Sequence, residues 1–458
     1  MEPITYIGRR FEIGTRFVYC QHLLSGTDKA NAPVYVFLEA PPEKFVPFLE
    51  TFVKDGIMPG GLTVFLGAGM FDPTLPGGAP RNMRAENFDQ YQSEFSDLLA
   101  EELIPDAAKR AGVTISPNPD LHFIAGGSSG GMAAWNALWF RNDFFRRGVL
   151  MSPTFSAMRG GEEAMVIARK TETRPMRVYM SVGTTEPDYY FGDSYLVARN
   201  AESVMMYTKS DYHFDLFVGE GHCSRGCDPV QYRKIMEFLW KDWDTVPLVV
   251  KQNNKRIETL LDAQDVWEPA ETMPAPQNSV PSPVGGVYTF DGGKILLRKD
   301  GKDSVVASDL NQITGIALST DNWRLYVSDR TRRFLFAYAI LPDGTLGAQY
   351  KLCPLHLAHD CRCIGATSIC LAEDDRIFAA TELGVQTAVS FGILDMILPL
   401  PGDKPAVQVA MEGFWLYAKS SDGRIYRRKL KRQARKDGEL IAPFSAGYGD
   451  TGSYNREH

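Results

Sequence analysis

The chain has 458 residues, 44% of them hydrophobic and 23% charged, with 56 Asp and Glu against 49 Lys and Arg for a formal net charge of −7. That length exceeds what one hydrophobic core serves, so two or more domains are expected in an ordinary globular protein. The acid excess argues against nucleic acid as a partner, and no run of about twenty apolar residues is present to cross a bilayer.

The opening residues, Met1-Glu2-Pro3-Ile4-Thr5-Tyr6, lack the basic start and apolar stretch of a secretory signal. A cytoplasmic location is therefore expected, or a secreted or periplasmic one if a signal has been removed. Val34-Tyr35-Val36-Phe37-Leu38-Glu39 is the first strongly strand-like run. A second, Leu121-His122-Phe123-Ile124-Ala125, enters Gly126-Gly127-Ser128-Ser129-Gly130-Gly131 and then the helix-forming Met132 to Leu138. Strand, tight turn and helix in that order are what a nucleophile elbow needs, because the strained serine tolerates only small neighbours. G-x-S-x-G fits both Ser128 and Ser129. Ser128 is preferred, since the backbone N–H of Ser129 then lies at the helix start where an oxyanion donor belongs. A glycine-rich turn that binds phosphate or only packs tightly is the alternative.

A nucleophilic serine also needs a base and a carboxylate to orient it, in the order Ser, acid, His if the sheet is of the hydrolase type. Arg177 to Val182 is strand-like and opens onto Gly183-Thr184-Thr185-Glu186-Pro187-Asp188, while His213 to Val218 ends in Gly219-Glu220-Gly221-His222. Such strand ends meet at one edge of a parallel sheet. Of the seven histidines, His222 alone follows a strand end in a Gly-x-Gly-His turn. Among the acids Glu186 ranks first, with Asp188 and Asp193 as alternatives. Cys223 and Cys227 flank Ser224-Arg225-Gly226; two free thiols are preferred there over a small disulfide loop, and seven cysteines form no disulfide framework.

Past Trp243 the chain changes character. A linker is expected at 251–286, semi-rigid because residues 266–286 hold Pro269, Pro274, Pro276, Pro281 and Pro283 and end in Gly285-Gly286. Short strand-like runs then alternate with turns, among them Lys294 to Leu297, Ser304 to Ala307, Thr314 to Leu318, Arg324 to Val327, Phe334 to Ala339, Arg376 to Ala380 and Arg424 to Arg427. This spacing predicts a propeller or another all-β module, with about four blades' worth of strands. Cys353, His356, His359, Cys361 and Cys363 match no usual zinc spacing and read as a connecting loop. The basic run Arg424, Arg427, Arg428, Lys429, Lys431 and Arg432 reads as a solvated or salt-bridged face.

With these pieces in hand, residues 30 to 245 resemble the esterase D and enterochelin-esterase branch of the α/β-hydrolases, related to feruloyl esterases. The matching segments are Val34 to Glu39, the Ala125 to Gly131 elbow, Met158-Arg159-Gly160-Gly161, Gly183 to Glu186 with Gly192-Asp193 and Ala198-Arg199-Asn200, Gly221-His222, and Phe238 to Trp243. The resemblance implies a serine carboxylesterase with Ser128 as nucleophile, His222 as base and Glu186 where the family usually has aspartate. It implies a second oxyanion N–H at Leu38 or Glu39 beside that of Ser129. It also places Arg84 and Asp89 at the pocket border, with Arg84, Arg159 and Trp135 as candidate substrate contacts.

The later region resembles six-bladed propellers of the gluconolactonase and regucalcin type, through Gly315 to Ser319, Arg324 to Asp329, Gly365-Ala366 and Arg376 to Thr381. In its overall plan the chain looks like the bacterial esterases fused to a gluconolactonase-like domain. Where those lactonases place an asparagine and an aspartate on a divalent metal, this chain has Thr314 and Thr367, poor ligands for a hard cation.

The expected organisation is thus an α/β-hydrolase domain at 1–250, the linker, a shortened β-propeller-like domain at 287–437 and a C-terminal tail at 438–458. The expected activity is hydrolysis of a small-molecule or sugar-linked ester, with no metal and no cofactor and with neither nucleic acid nor membrane as partner. The second domain is expected to cover the esterase mouth, hold a partner or build a homo-oligomer. A catalytically silent binding or scaffold protein, and a metal-dependent lactonase in the second domain, are the rival readings.

Overall fold

The computed structural model describes residues 2–8, 15–73, 76–262 and 264–436. The tail expected at 438–458 lies outside the described residues. The chain divides into two compact units: residues 1–169 with 173–252, and residues 170–172 with everything from 253 onward.

The first unit is built on a ten-stranded mixed sheet with a parallel core. Its strands are β1 (Ile4–Ile7), β2 (Thr15–Leu23), β3 (Val34–Leu38), β4 (Leu62–Leu66), β5 (Met70–Phe71), β6 (Arg81–Asn82), β7 (His122–Gly127), β8 (Arg147–Met151) and β9 (Arg177–Gly183). A separate two-stranded hairpin follows, β10 (Asp188–Tyr189) with β11 (Gly192–Asp193), and then β12 (Asp211–Phe217) completes the sheet. The order is β12-β9-β8-β7-β3-β4-β2-β5-β6, with β1 beside β2. Neighbours from β12 to β4 run parallel, and β2 and the short strands beyond it pair antiparallel. Strands β3, β4 and β8 read VYVFL, LTVFL and RGVLM and are buried at every position. Such uninterrupted burial requires cover on both faces of the sheet, which is what parallel crossovers supply.

Four helices matter to the site: α1 (Pro42–Lys54), α2 (Ser129–Phe140), α3 (Ser194–Thr208) and α4 (Pro229–Leu239). Helices α1 and α4 share an aromatic core with the sheet, in which Phe45 meets the Tyr232 ring edge-on at 4.9 Å and Phe37 at 5.1 Å. Helix α2, packed on β7 and β8, is buried from Ser129 through Trp139, so its residues are apolar all round rather than along a stripe.

The second unit is a four-blade, propeller-like all-β domain. Its first strand, β13 (Glu268–Ala270), is followed by β14 (Ser279–Pro281), β15 (Val287–Asp291), β16 (Lys294–Lys299) and β17 (Lys302–Ala307). The second blade is β18 (Ile313–Leu318) to β21 (Leu346–Pro354), and the third is β22 (Ser368–Leu371) to β25 (Leu394–Leu398). The fourth holds β26 (Ala406–Glu412), β27 (Trp415–Ser420) and β28 (Ile425–Lys429), and its outer edge is β13. The domain's first strand therefore completes its last blade, which joins the two ends of the module by main-chain hydrogen bonds.

This corrects the expected linker. Residues 251–286 carry β13 and β14, and Pro269 and Pro281 sit on edge strands where the missing N–H is tolerated. The basic run lies largely in ion pairs: Arg424 with Asp422, Arg427 with Glu268, Arg428 with Glu172, Lys431 with Asp262 and Arg432 with Asp374.

Candidate active site

Strand β7 ends at Gly127 and helix α2 begins at Ser129, leaving Ser128 as the one residue of the turn. Ser128 holds φ 57° and ψ −125°, a backbone region that side chains avoid. The surrounding glycines are required by contact. A β-carbon on Gly126 would lie 2.1 Å from the Gly130 carbonyl oxygen, one on Gly131 3.0 Å from Pro153, and one on Gly127 2.9 Å from the sulfur of Cys223. The turn is held by the Ser128 N–H donating to the Met151 carbonyl at 2.8 Å and by the Thr154 N–H donating to the Ser128 carbonyl at 3.2 Å.

Of the two serines that fit the motif, Ser128 occupies the strained position. Ser129 is fully buried, and its hydroxyl accepts a hydrogen bond from Arg84 Nη1 at 2.6 Å. The Ser129 N–H belongs to the first helical turn, which has no intrahelical acceptor and carries the positive end of the helix dipole.

Strand β9 delivers Glu186 and β12 delivers His222 to the same edge. Nδ1 of His222 and Oε2 of Glu186 are 2.5 Å apart, with the Glu186 side chain buried and the imidazole partly exposed. Oε1 of Glu186 accepts from Ser152 Oγ at 2.5 Å and from the Gly183 N–H at 3.2 Å, so the carboxylate is held at both ends. Burial pushes this carboxyl upward, but the hydrogen bonds from His222, Ser152 and Gly183 outweigh it and hold it below the ordinary glutamate range. The His222 imidazole is pushed up, first by the Cys223 thiol beside it and then by Glu186. The residue after the histidine also shares an acceptor with the elbow: Cys223 Sγ donates to the Met151 carbonyl, the acceptor that Ser128 N–H uses, at 3.5 Å.

The alternative acids are placed otherwise. Asp193 caps α3, accepting from the Leu196 N–H at 2.9 Å, and Asp188 lies exposed in the β10 strand. Leu38 ends β3. Glu39 follows with φ 54°, but its N–H donates to the Leu66 carbonyl at 2.8 Å, so it is withdrawn from any oxyanion; the strand ladder consumes it. Arg84 Nε lies 3.0 Å from both carboxylate oxygens of Glu39. Arg159, at φ 103°, reaches toward Glu86 at 3.9 Å, and its side chain is 38% exposed. Asp89 is buried beside Ser129 and Arg84, with burial raising its carboxyl. Trp135 is no substrate contact: it is wholly buried in α2, stacked on Trp139 at 5.4 Å and meeting Phe155 edge-on.

No sequence motif points to Ser152. Its φ of 43° and its place at the end of β8 mark it, a polar residue at the strand edge where His222 and Glu186 also arrive. All seven cysteines are free thiols. A cavity of about 260 Å³ beside the elbow is lined by residues that include Leu38, Gly126, Gly127, Cys223 and Cys227.

In the second unit, Thr314 Oγ1 donates to the Ala366 carbonyl at 2.6 Å and Thr367 Oγ1 faces the Ala406 carbonyl at 3.4 Å. Thr314 thus bonds a residue just ahead of β22, and Thr367 the first residue of β26. Among the described residues no group of three or more His, Cys, Asp or Glu is placed to hold a metal ion. Also among them, no helix is long and apolar enough to cross a membrane.

Among solved structures, the chain is similar to the enterobactin esterase of Shigella flexneri at 17% identity and a TM-score of 0.40, covering 52% of this chain and 59% of that one. It is similar to a ferulic acid esterase at 16% identity and a TM-score of 0.38, over 52% of this chain and 97% of that one. A structure described as a gluconolactonase matches at 14% identity and a TM-score of 0.30, over 34% of this chain and 59% of the other. These neighbours are of the two kinds that the sequence motifs resemble. The chain spans less than two thirds of the enterobactin esterase it matches. No protein-family model and no curated protein matches the sequence.

Proposed function

We propose that the first unit is an α/β-hydrolase that cleaves a carboxylic ester through Ser128, His222 and Glu186. The observation that carries this reading is the strained elbow at Ser128 on the same sheet edge as a 2.5 Å Glu186–His222 pair. Ser128 Oγ attacks the ester carbonyl as His222 takes its proton, and Glu186 holds the ring with Nδ1 protonated so that Nε2 is the accepting nitrogen. The imidazolium then protonates the departing alcohol, and a water activated by the same histidine releases the acid. The Ser129 N–H, at the positive end of α2, faces the developing oxyanion, with a second donor from the Leu38 end of β3. Arg84 and Arg159 border the site as substrate contacts. The substrate is a small-molecule or sugar-linked ester.

The second unit is proposed as non-catalytic, since the threonine hydroxyls that replace lactonase ligands are spent on backbone carbonyls. Its work is to hold a partner or a second copy of the chain. The test is a fluorophosphonate probe on the full chain, followed by peptide mass analysis. An adduct on Ser128 that Ser128→Ala abolishes is expected, with turnover of a p-nitrophenyl ester lowered by about 10⁴-fold or more. An adduct on Ser129, or none anywhere, overturns the assignment.

A further inference from the structure

Cys223 and Cys227 stand out once the catalytic arrangement is drawn. Both thiols line the cavity beside the elbow, together with Gly126 and Gly127. Cys227 is exposed and Cys223 half-buried, so an oxidant reaches the first directly and the second through the cavity. They are four residues apart in one continuous turn spanning 222–227, closed by the Gly226 N–H donating to the Cys223 carbonyl at 3.0 Å. That turn begins at His222.

Cys223 also sits inside the supports of the triad. Its N–H donates to Ser152 Oγ at 3.1 Å, and Ser152 Oγ donates on to Glu186. Its φ of 51° leaves its backbone little freedom to absorb a pull on the side chain. Its sulfur packs 2.9 Å from where a β-carbon on Gly127 would stand, against the residue that precedes Ser128. A change at this sulfur therefore reaches the histidine through one peptide bond, the acid through Ser152, and the nucleophile through Gly127.

We propose that Cys223 and Cys227 are a thiol modification site whose oxidation to a disulfide switches off the Ser128 site; this rests on the esterase reading above. With a peroxide as oxidant, the Cys227 thiolate attacks one peroxide oxygen, the O–O bond breaks, and water leaves with a sulfenic acid on Cys227. Cys223 Sγ then attacks that sulfur, the S–O bond breaks, and a second water leaves as the S–S bond forms. Two thiols are oxidised and one peroxide is reduced to two waters. Disulfide geometry demands Cα atoms within about 7 Å and fixed side-chain directions. Closing the S–S bond fixes both side chains and pulls on the turn that carries them, which draws His222 off Glu186 and the Cys223 N–H off Ser152.

The test exposes the full chain to hydrogen peroxide and follows two readouts. Peptide mass analysis is expected to show loss of two hydrogens on the peptide holding Cys223 and Cys227. Fluorophosphonate labelling of Ser128 is expected to fall at least tenfold and to return on adding dithiothreitol. Cys227→Ser, measured against its own untreated sample, should lose less than twofold of its labelling under the same peroxide treatment. The proposal is overturned if no intramolecular disulfide forms, if the disulfide forms while labelling holds, or if Cys227→Ser is inactivated as fast as the parent. A reduced protein that never labels overturns the esterase reading instead, and the switch with it.

Discussion

A carboxylate beside an imidazole favours the charged ring, and at His222 the Cys223 thiol and Glu186 both push the pKa above its ordinary value of 6.5. A general base works only when neutral, so activity is expected to rise with pH through a limb above 6.5. Glu186→Gln removes one of the groups that stabilise the imidazolium and also permits the wrong tautomer. The limb is expected to move to lower pH while the plateau falls by up to about 10⁴-fold. A pH profile of kcat/KM for both proteins checks this; a parent limb below 6.5 contradicts the upward shift of His222. Asp193→Ala, by contrast, should cost α3 its cap, about 1 kcal/mol of stability, and leave the plateau within a few-fold.

At the scale of one element, the β7 strand and its elbow carry two expectations. His122 is buried in β7 with Nδ1 against the Phe144 carbonyl at 2.9 Å, and burial lowers its pKa to about 4. The folded state keeps it neutral, while the unfolded chain takes up a proton below about 6.5. Stability contributed by this group is therefore complete above pH 6.5 and is lost as pH falls toward 4, by about 3 kcal/mol at most. Urea unfolding of the parent and of His122→Gln across that range reads it: the glutamine variant should show a flatter pH dependence. The second expectation concerns Gly126, where an added methyl meets the Gly130 carbonyl at 2.1 Å. Backbone, not a movable side chain, stands in the way. Gly126→Ala should cost at least about 3 kcal/mol or abolish soluble expression, whereas alanine at Gly130, with nothing nearer than 3.5 Å, should cost under about 1 kcal/mol.

Across the whole molecule, the second unit takes in residues 170–172 from far upstream: Lys170 meets His356, Thr171 bridges Ile397 and accepts from Asn254, and Glu172 pairs with Arg428. The Glu172 carboxylate accepts two hydrogen bonds from Arg428 at 2.7 and 2.6 Å, and Arg428, nearly buried, also donates to the Asp265 carbonyl. Breaking a buried pair from one side strands the other charge. Arg428→Met is expected to destabilise by about 3 kcal/mol, and adding Glu172→Gln should recover much of the loss. A double-mutant cycle by urea unfolding measures the coupling; strict additivity would show that the pair does not hold this segment.

Much of this protein is legible in its residue order, and the physical reason is that its strongest signals are local. A strained strand-to-helix turn needs glycine at 126, 127 and 131, and short strands need turns between them, so the elbow and the blade strands announce themselves within windows of about ten residues. The loop after β9 offers three acids, Glu186, Asp188 and Asp193, and only the fold shows that Glu186 meets His222 while Asp193 caps α3. What stayed hidden depends on contacts between distant segments. Ser152 is an unremarked serine until β8 sets it between Glu186 and Cys223. The Glu39 N–H looks available until β4 takes it, and Trp135 reads as a ligand contact until α2 is covered on every side. Proline-rich residues 251–286 look like a linker because β13 gains its strand character from β28, more than 150 residues away. Local sequence encodes backbone strain and hydrophobic period, whereas hydrogen-bond partners and burial are properties of whichever distant segment arrives.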